Sequence, residues 1–428
     1  MRGFKTSEEY ALQLDSEDNL RGFAQRFYKN PLEIYMDGNS LGLLSKDAEK
    51  SLLRVVNEWK TLGINGWLKG EIPWFYYGEE LGKMQAPLVG ADPSEVIVTG
   101  STTVNLHNLV ATFFQPTSER SKILADELNF PSDIYALKSQ LLIHGLEPDK
   151  NLILVESRDG RLLEEEDIIS KMTEDVALII LPGVLYRSGQ LLDMALLTKE
   201  AHNRGIVIGF DCSHSIGAVP HYFSKWDVDF AFWCNYKYLN NGPGGAAGLY
   251  VNKKHFAKEV GLAGWWGYRK DKQFDMVQEF ERAESAGAWQ IGTINMLSSA
   301  TLEGSLRMYE EAGIENLRAK SLKATSYLMY LIDELLPEEK YGYKIGTPRQ
   351  PERRGGHVAL EHDEALRINE ALKKRGVMPD FRYPNVIRLA PVPLYVSFHE
   401  IWKLVQHLKE KVDTKEYEKF AKKSGPVA

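Results

Sequence analysis

The sequence predicts an α/β protein: a mainly parallel seven-stranded sheet interleaved with helices, followed by a smaller α+β domain at the carboxyl end. Three observations carry this expectation. Seven short apolar runs recur between residues 96 and 251, several of them continuous, as befits strands buried on both faces. Most are separated by enough chain for a crossover helix, which a parallel connection needs. Beyond about residue 300 the short runs give way to a long charged segment with helical spacing.

The seven runs are 96–98, 122–125, 152–155, 176–181, 206–210, 230–233 and 248–251. Residues 193–204 illustrate a crossover: Asp193 can accept from the free N–H groups of the first turn, and Gly205 ends the helix. A second helix is expected over 104–114. Farther on, Ile314, Leu317, Leu328, Leu331 and Leu335 keep helical spacing, which predicts a connecting helix. Apolar runs at 357–360 and 386–389 and an amphipathic stretch at 401–408 complete the smaller domain. The expected division is an amino-terminal arm over 1–45, a large domain over 46–304 and a small domain over 305–428.

Composition narrows the partners. A net charge of −7 offers no general attraction to nucleic acid or to anionic membranes, so a small molecule is the expected ligand. The two cysteines, Cys212 and Cys234, sit in no CxxC pattern, which argues against a disulfide framework or a structural metal. Residues 1–20 mix acids and polar groups without the apolar core of a signal peptide. No apolar stretch approaches the roughly 18 residues that suggest a membrane span. A cytoplasmic location is expected.

Four segments carry the chemistry, each just after a predicted strand, where α/β sheets place ligands. In Gly100-Ser-Thr-Thr103, hydroxyls meet the backbone N–H groups of a helix start, a cradle for phosphate. In Asn129-Phe-Pro-Ser-Asp133, Phe130 offers a stacking face and Asp133 a carboxylate. Asp211 ends the fifth run and can keep a pyridine nitrogen protonated, so that the ring draws electrons from a carbanion. Lys237 follows the sixth run, between Tyr236 and Tyr238 and ahead of Asn240-Asn-Gly-Pro-Gly-Gly245. That setting can desolvate the amine and favour its condensation with an aldehyde. Each signal has an ordinary reading: Asp, Ser and Thr cap helices, Phe130 suits a core, and most lysines are simply solvated. Together, in this order, they supply phosphate cradle, stacking ring, pyridinium partner and Schiff-base lysine, the set that pyridoxal 5'-phosphate requires.

Strings spread over nearly the whole chain support a family resemblance. They are Asp37-Gly-Asn-Ser-Leu-Gly42, Thr103-Val-Asn-Leu-His107, Phe130-Pro-Ser-Asp133, Tyr236-Lys-Tyr-Leu-Asn240, Leu262-Ala-Gly-Trp265 and Arg388-Leu-Ala-Pro-Val-Pro-Leu-Tyr395. The chain resembles enzymes of the aspartate-aminotransferase fold (fold type I) in the aminotransferase class V group, and kynureninases in particular. The resemblance implies a homodimer with shared active sites. It implies hydrolysis of the Cβ–Cγ bond of L-kynurenine, and less well of 3-hydroxy-L-kynurenine, to anthranilate and L-alanine in tryptophan catabolism.

Residue by residue, the resemblance implies that Lys237 bears the cofactor and that Asp211 partners the pyridine nitrogen, with His214 and Asp133 nearby. Phe130 would stack on the ring, while Thr102, Thr103 and Ser132 would contact the cofactor at or near its phosphate. Tyr236 would reach the phosphate and serve as a general acid. Trp265 and Thr293 would complete the phosphate site from the second subunit. Arg388 would grip the substrate α-carboxylate, a bidentate task suited to guanidinium. Pro182 departs from the family, which often has a hydroxyl there. Trp67 and the pair Gly292-Thr293 are similar to bacterial members, which implies a preference for unsubstituted kynurenine. Two alternatives remain at this point: a cysteine desulfurase, which would carry His where Tyr236 stands, and a non-catalytic cofactor-binding regulator.

Overall fold

The structure is a computed structural model that describes residues 3–422. Among these residues, seven strands form the central sheet: β1 (Val96–Val98), β2 (Lys122–Asp126), β3 (Leu152–Val155), β4 (Val176–Pro182), β5 (Val207–Asp211), β6 (Phe230–Trp233) and β7 (Gly248–Val251). Their order is β1-β7-β6-β5-β4-β2-β3. The run from β3 to β6 is parallel, and β7 is antiparallel to both of its neighbours. Side chains alternate between two cores, one on each face: Ile179 and Leu181 belong to one, Leu178 and Ile180 to the other. Burial on both faces explains why the runs read as continuous rather than alternating.

Three strands reach one residue farther than their apolar runs. Asp126, Pro182 and Asp211 pair in the ladder opposite Val155, Asp211 and Phe232. Backbone pairing is indifferent to the side chain at a strand's last position, so an apolar pattern stops short of it. The helix after β1 runs Thr102–Phe113 and starts two residues ahead of the expected 104, which puts Thr102 and Thr103 in its first turn. The crossover helix Met194–His202 begins where expected, with Asp193 accepting from the N–H of Leu196 at 2.9 Å.

The connecting helix Ile314–Leu335 leads to a four-stranded antiparallel sheet, ordered Asp380–Arg382, Val386–Leu389, Val358–Glu361 and Lys344–Ile345. Helix Phe398–Asp413 follows, closed at its start by a capping box of Ser397 and Glu400. The amino-terminal arm lies on this part of the molecule. Asp15, in helix Glu8–Ser16, accepts from the N–H groups of Phe398 (2.6 Å) and His399 (3.1 Å), an anion on a helix start. Ile34–Tyr35 pairs in parallel with Val377–Met378. The arm then crosses to the central sheet, where the N–H of Gly42 donates to the carbonyl of Tyr236 at 2.8 Å. A Cβ at position 42 would lie 2.5 Å from the carbonyl oxygen of Lys237, so this approach requires glycine. Among the described residues, no helix is long and apolar enough to cross a membrane.

Candidate active site

Strands β5 and β6 are parallel neighbours, so Asp211 at the end of one and Lys237 just past the other share one edge of the sheet. Lys237 Nζ is 3.0 Å from Nε2 of His214. Burial first, then the nearby cations of Lys237 and Arg388, holds His214 well below the ordinary imidazole range. The ring is therefore neutral and can accept from the amine. Lys237 Nζ also stands 5.9 Å from the centre of the Phe130 ring.

Asp211 and Asp133 form a buried carboxyl pair. Asp211 Oδ1 accepts from the N–H of Ser213 at 2.8 Å. Burial, and then the charge of Asp211, pushes the Asp133 carboxyl well above its usual range, while Lys237 pulls it down. Two close carboxyls in a dry site resist ionising together, which favours the neutral form of Asp133. Asp133 Oδ2 and His214 Nδ1 are buried with no hydrogen-bond partner among the described residues.

Two helices begin side by side here, and Asp133 lies in the first turn of one of them. Thr103 Oγ1 in Thr102–Phe113 lies 2.8 Å from Ser132 Oγ in Pro131–Ile143. Neither Ser101 nor Phe130, at the two N-cap positions, makes a side-chain cap bond, so hydroxyls and first-turn N–H groups remain for an anion. The Phe130 ring is 42% exposed rather than core, and meets Tyr186 edge-on at 5.4 Å. An open ring face, two orphaned buried polar atoms and hydroxyl-lined helix starts fit a flat aldehyde-bearing aromatic phosphate, which pyridoxal phosphate is.

Arg388 is fully buried and already engaged. Nη1 donates to the carbonyl of Tyr186 (2.8 Å), Nη2 to Ser40 Oγ (2.9 Å), and Nε and Nη2 both reach the carboxylate of Asp380. Of the five guanidinium N–H donors, one on Nη1 has no partner among the described residues. An incoming carboxylate therefore meets an arginine in a polar clamp rather than the open fork expected from the sequence. Asp37 joins the clamp: burial and then Asp380 push it up to about 6, against Ser40 and Arg388. His357 sits between the two halves of the site, its ring 5.9 Å from that of His214, and is held down to about 3 by burial and Arg388. Sequence reading did not single out Tyr186, Asp380 or His357, and found Asp37 and Ser40 only inside a resembling string.

Tyr236 is half-buried, and burial, reinforced by Cys234 and Asp211, raises its phenol above the ordinary range. Pro182 pairs with Asp211 in the ladder, and the N–H of Gly183 donates to the Asp211 carbonyl at 2.7 Å.

Three expected residues make contacts of their own. The Trp67 ring packs on Trp74 (5.7 Å, edge-on) and Trp266 (5.6 Å), not on the rings around Lys237. Trp265 is 48% exposed beside Trp266, and Thr293 is exposed. The segments carrying these last two touch, since a Cβ on Gly264 would lie 2.0 Å from the Ile291 carbonyl. Trp67, Trp74, Trp265 and Trp266 form one aromatic wall.

The fold defines a class first. A mutant of C-DES with glycine covalently linked to its PLP cofactor superposes with a TM-score of 0.77 at 17% identity, over 90% of this chain and 98% of that one. The apo cysteine desulfurase from Thermococcus onnurineus gives 0.77 at 19% identity, over 92% and 98%. This is the α/β, aspartate-aminotransferase-like architecture, and at such identity it speaks for the fold alone. Sequence relatives speak for more. Kynureninase from Geobacillus thermodenitrificans is 62% identical over 420 residues, 98% of each chain, and that of Bacillus anthracis 59% over 425 residues, 99% of each. Residues 317–408 match the model of the kynureninase C-terminal domain. The chain belongs to the kynureninase family.

Proposed function

We propose that the protein is a pyridoxal-phosphate-dependent hydrolase that cleaves the Cβ–Cγ bond of L-kynurenine to anthranilate and L-alanine. The observation that carries this reading is Lys237 Nζ at hydrogen-bond distance from a neutral His214, near the Phe130 ring and beside the Asp133–Asp211 pair. Near-full-length identity to kynureninases supports the choice of substrate.

Pyridoxal phosphate, when bound, supplies an aldehyde that condenses with amines and a protonated ring that draws electrons from the substrate α-carbon. Lys237 would bear it and Asp211 would hold the ring nitrogen's proton, with Asp133 and His214 beside it. Phe130 would stack on the ring, and Thr102, Thr103 and Ser132 would take the phosphate together with Tyr236. Trp265 and Thr293 would reach the same phosphate from a second copy of the chain. Lys237 Nζ is the base at the substrate α-carbon. Arg388 orients the α-carboxylate through its remaining donor and by rearranging the Ser40 contact. Water adds to the γ-carbonyl, the Cβ–Cγ bond breaks, and Tyr236, kept protonated by burial, delivers a proton to the β-carbon.

Apolar side chains exposed on and just after helix Lys46–Leu62, among them Leu53, Trp59 and Ile64, support a homodimer face near the wall. The division into arm, large and small domains, the cytoplasmic location and the preference for unsubstituted kynurenine at Trp67 belong to the same reading. Desulfurase chemistry is disfavoured: the chain's two cysteines, Cys212 and Cys234, are both buried.

Lys237→Ala should lose the visible absorbance of the lysine-linked cofactor, and turnover should fall by roughly 10²–10⁴-fold. A variant that kept the wild-type spectrum would remove Lys237 from its role.

A further inference from the structure

The loop that carries Trp67 is tied down by buried charge. Glu58 is buried near the end of helix Lys46–Leu62, and its Oε2 accepts from the indole N–H of Trp74 at 3.1 Å. Its Oε1 accepts from the backbone N–H of Glu71 at 3.0 Å and from Arg54 Nη1 at 2.6 Å. Trp74 in turn packs edge-on against Trp67. Gly66 makes room for this, since a Cβ there would meet the Trp74 ring at 2.4 Å.

The same guanidinium reaches a second element. Arg54 Nη2 pairs with Glu303, which also accepts from Tyr77 Oη (2.8 Å) and Arg307 Nη2 (3.0 Å). Glu303 is buried in helix Met296–Ala312, whose first residue lies three positions after Thr293. One arginine thus joins the segment bearing Trp67 to the helix behind Thr293. Aromatic edge contacts are soft and let rings slide, whereas an N–H aimed at a carboxylate is directional. Buried ion networks contribute little net stability, and geometric definition is what this one adds.

We propose that Glu58, fixed by Arg54 and through it to Glu303, is a positioning residue that sets the Trp67 ring by way of Trp74 and so governs discrimination at the aromatic ring of the substrate. The proposal rests on the reading of Trp67 as a substrate-facing residue. Glu58 touches neither substrate nor cofactor and acts only through Trp74.

The test uses the full-length holoenzyme with kynurenine and 3-hydroxykynurenine, comparing kcat/KM ratios for Glu58→Gln, Trp74→Phe, Trp67→His and each of the first two combined with Trp67→His. Glu58→Gln and Trp74→Phe should each move the ratio roughly three- to tenfold, mainly through KM. On the Trp67→His background neither should move it further, because the residue they position is gone. If both lower the melting temperature but leave the ratio within about 1.5-fold while Trp67→His shifts it, the positioning role is overturned and the reading of Trp67 stands. If Trp67→His itself leaves the ratio unchanged, that reading falls and takes the proposal with it. Should Glu58→Gln fail to fold, Trp74→Phe decides, since it keeps an aromatic side chain at 74 while removing the indole N–H that Glu58 accepts from, together with the pyrrole ring.

Discussion

Asp133 and Asp229 are equally buried, each 2% exposed, yet they live in opposite electrostatic worlds. Asp229, just ahead of β6, accepts from His202 Nε2 (2.9 Å), His255 Nε2 (2.8 Å) and the N–H of Ile208 (2.9 Å), with Lys254 Nζ at 3.0 Å. Burial alone would raise its carboxyl. The two histidines and the backbone N–H overcome that and hold it far below the carboxylate range. Asp133 faces another acid, which with burial raises its carboxyl, and one of its oxygens has no partner among the described residues. Native interiors pair nearly all buried polar atoms, so a cluster left incomplete marks where a ligand completes it. The Asp229 cluster is finished by the protein itself, and it is structural.

The largest expected effect falls on the finished cluster. Asp229→Ala leaves two histidines and a lysine without their anion and should destabilise the fold by about 3–5 kcal/mol in urea unfolding. The activity of the molecules that remain folded should be unchanged. Asp133→Asn should do the reverse, with stability within about 1 kcal/mol of wild type and cofactor affinity, read by titration of the apoenzyme, reduced about tenfold. If Asp133→Asn unfolds the chain as Asp229→Ala does, the two clusters are alike and the comparison breaks.

A smaller effect sharpens the contrast through pH. Asp126 ends β2, its Oδ2 accepting from Asn129 Nδ2 at 3.0 Å, and burial pushes it up to about 7. The folded chain therefore holds a proton that the unfolded chain releases above about pH 4, and stability falls as pH rises from there toward 7. Asp229 runs the other way: its stabilisation is complete above the unfolded carboxyl range and is lost as pH falls below about 4. Asp126→Asn should flatten the decline between about pH 4 and 7 and spare the acid limb, as read by urea unfolding across pH. Asp229→Asn should flatten the acid limb.

These clusters also mark what was legible in the sequence. The strands were, because continuous Val/Ile/Leu runs report burial on both faces, and β1, β3, β6 and β7 have the bounds read from the sequence. Lys237, Asp211, Phe130 and Thr103 were legible because each follows such a run. The clamp on Arg388 was not. Asp380 opens a three-residue strand too short for any period, and Ser40 lies 348 positions from the arginine it contacts. Tyr186 carried no local pattern of its own, and His357 showed only as the start of an apolar run. The location of Trp67 was hidden for a related reason: a wall made by Trp67, Trp74 and Trp266 joins segments far apart in the chain. The arm had no readable docking site, since its helix is held by two backbone N–H groups of a helix near the other end of the chain.

The central claim is that the cluster around Lys237 holds pyridoxal phosphate and cleaves kynurenine. Its most direct test supplies the holoenzyme with L-kynurenine and measures anthranilate and L-alanine together. Equal amounts of the two, formed by the wild type and formed at least about 100-fold more slowly by Lys237→Ala, are the predicted result. Cofactor-loaded protein that forms no anthranilate, yet releases sulfide from L-cysteine, would contradict it.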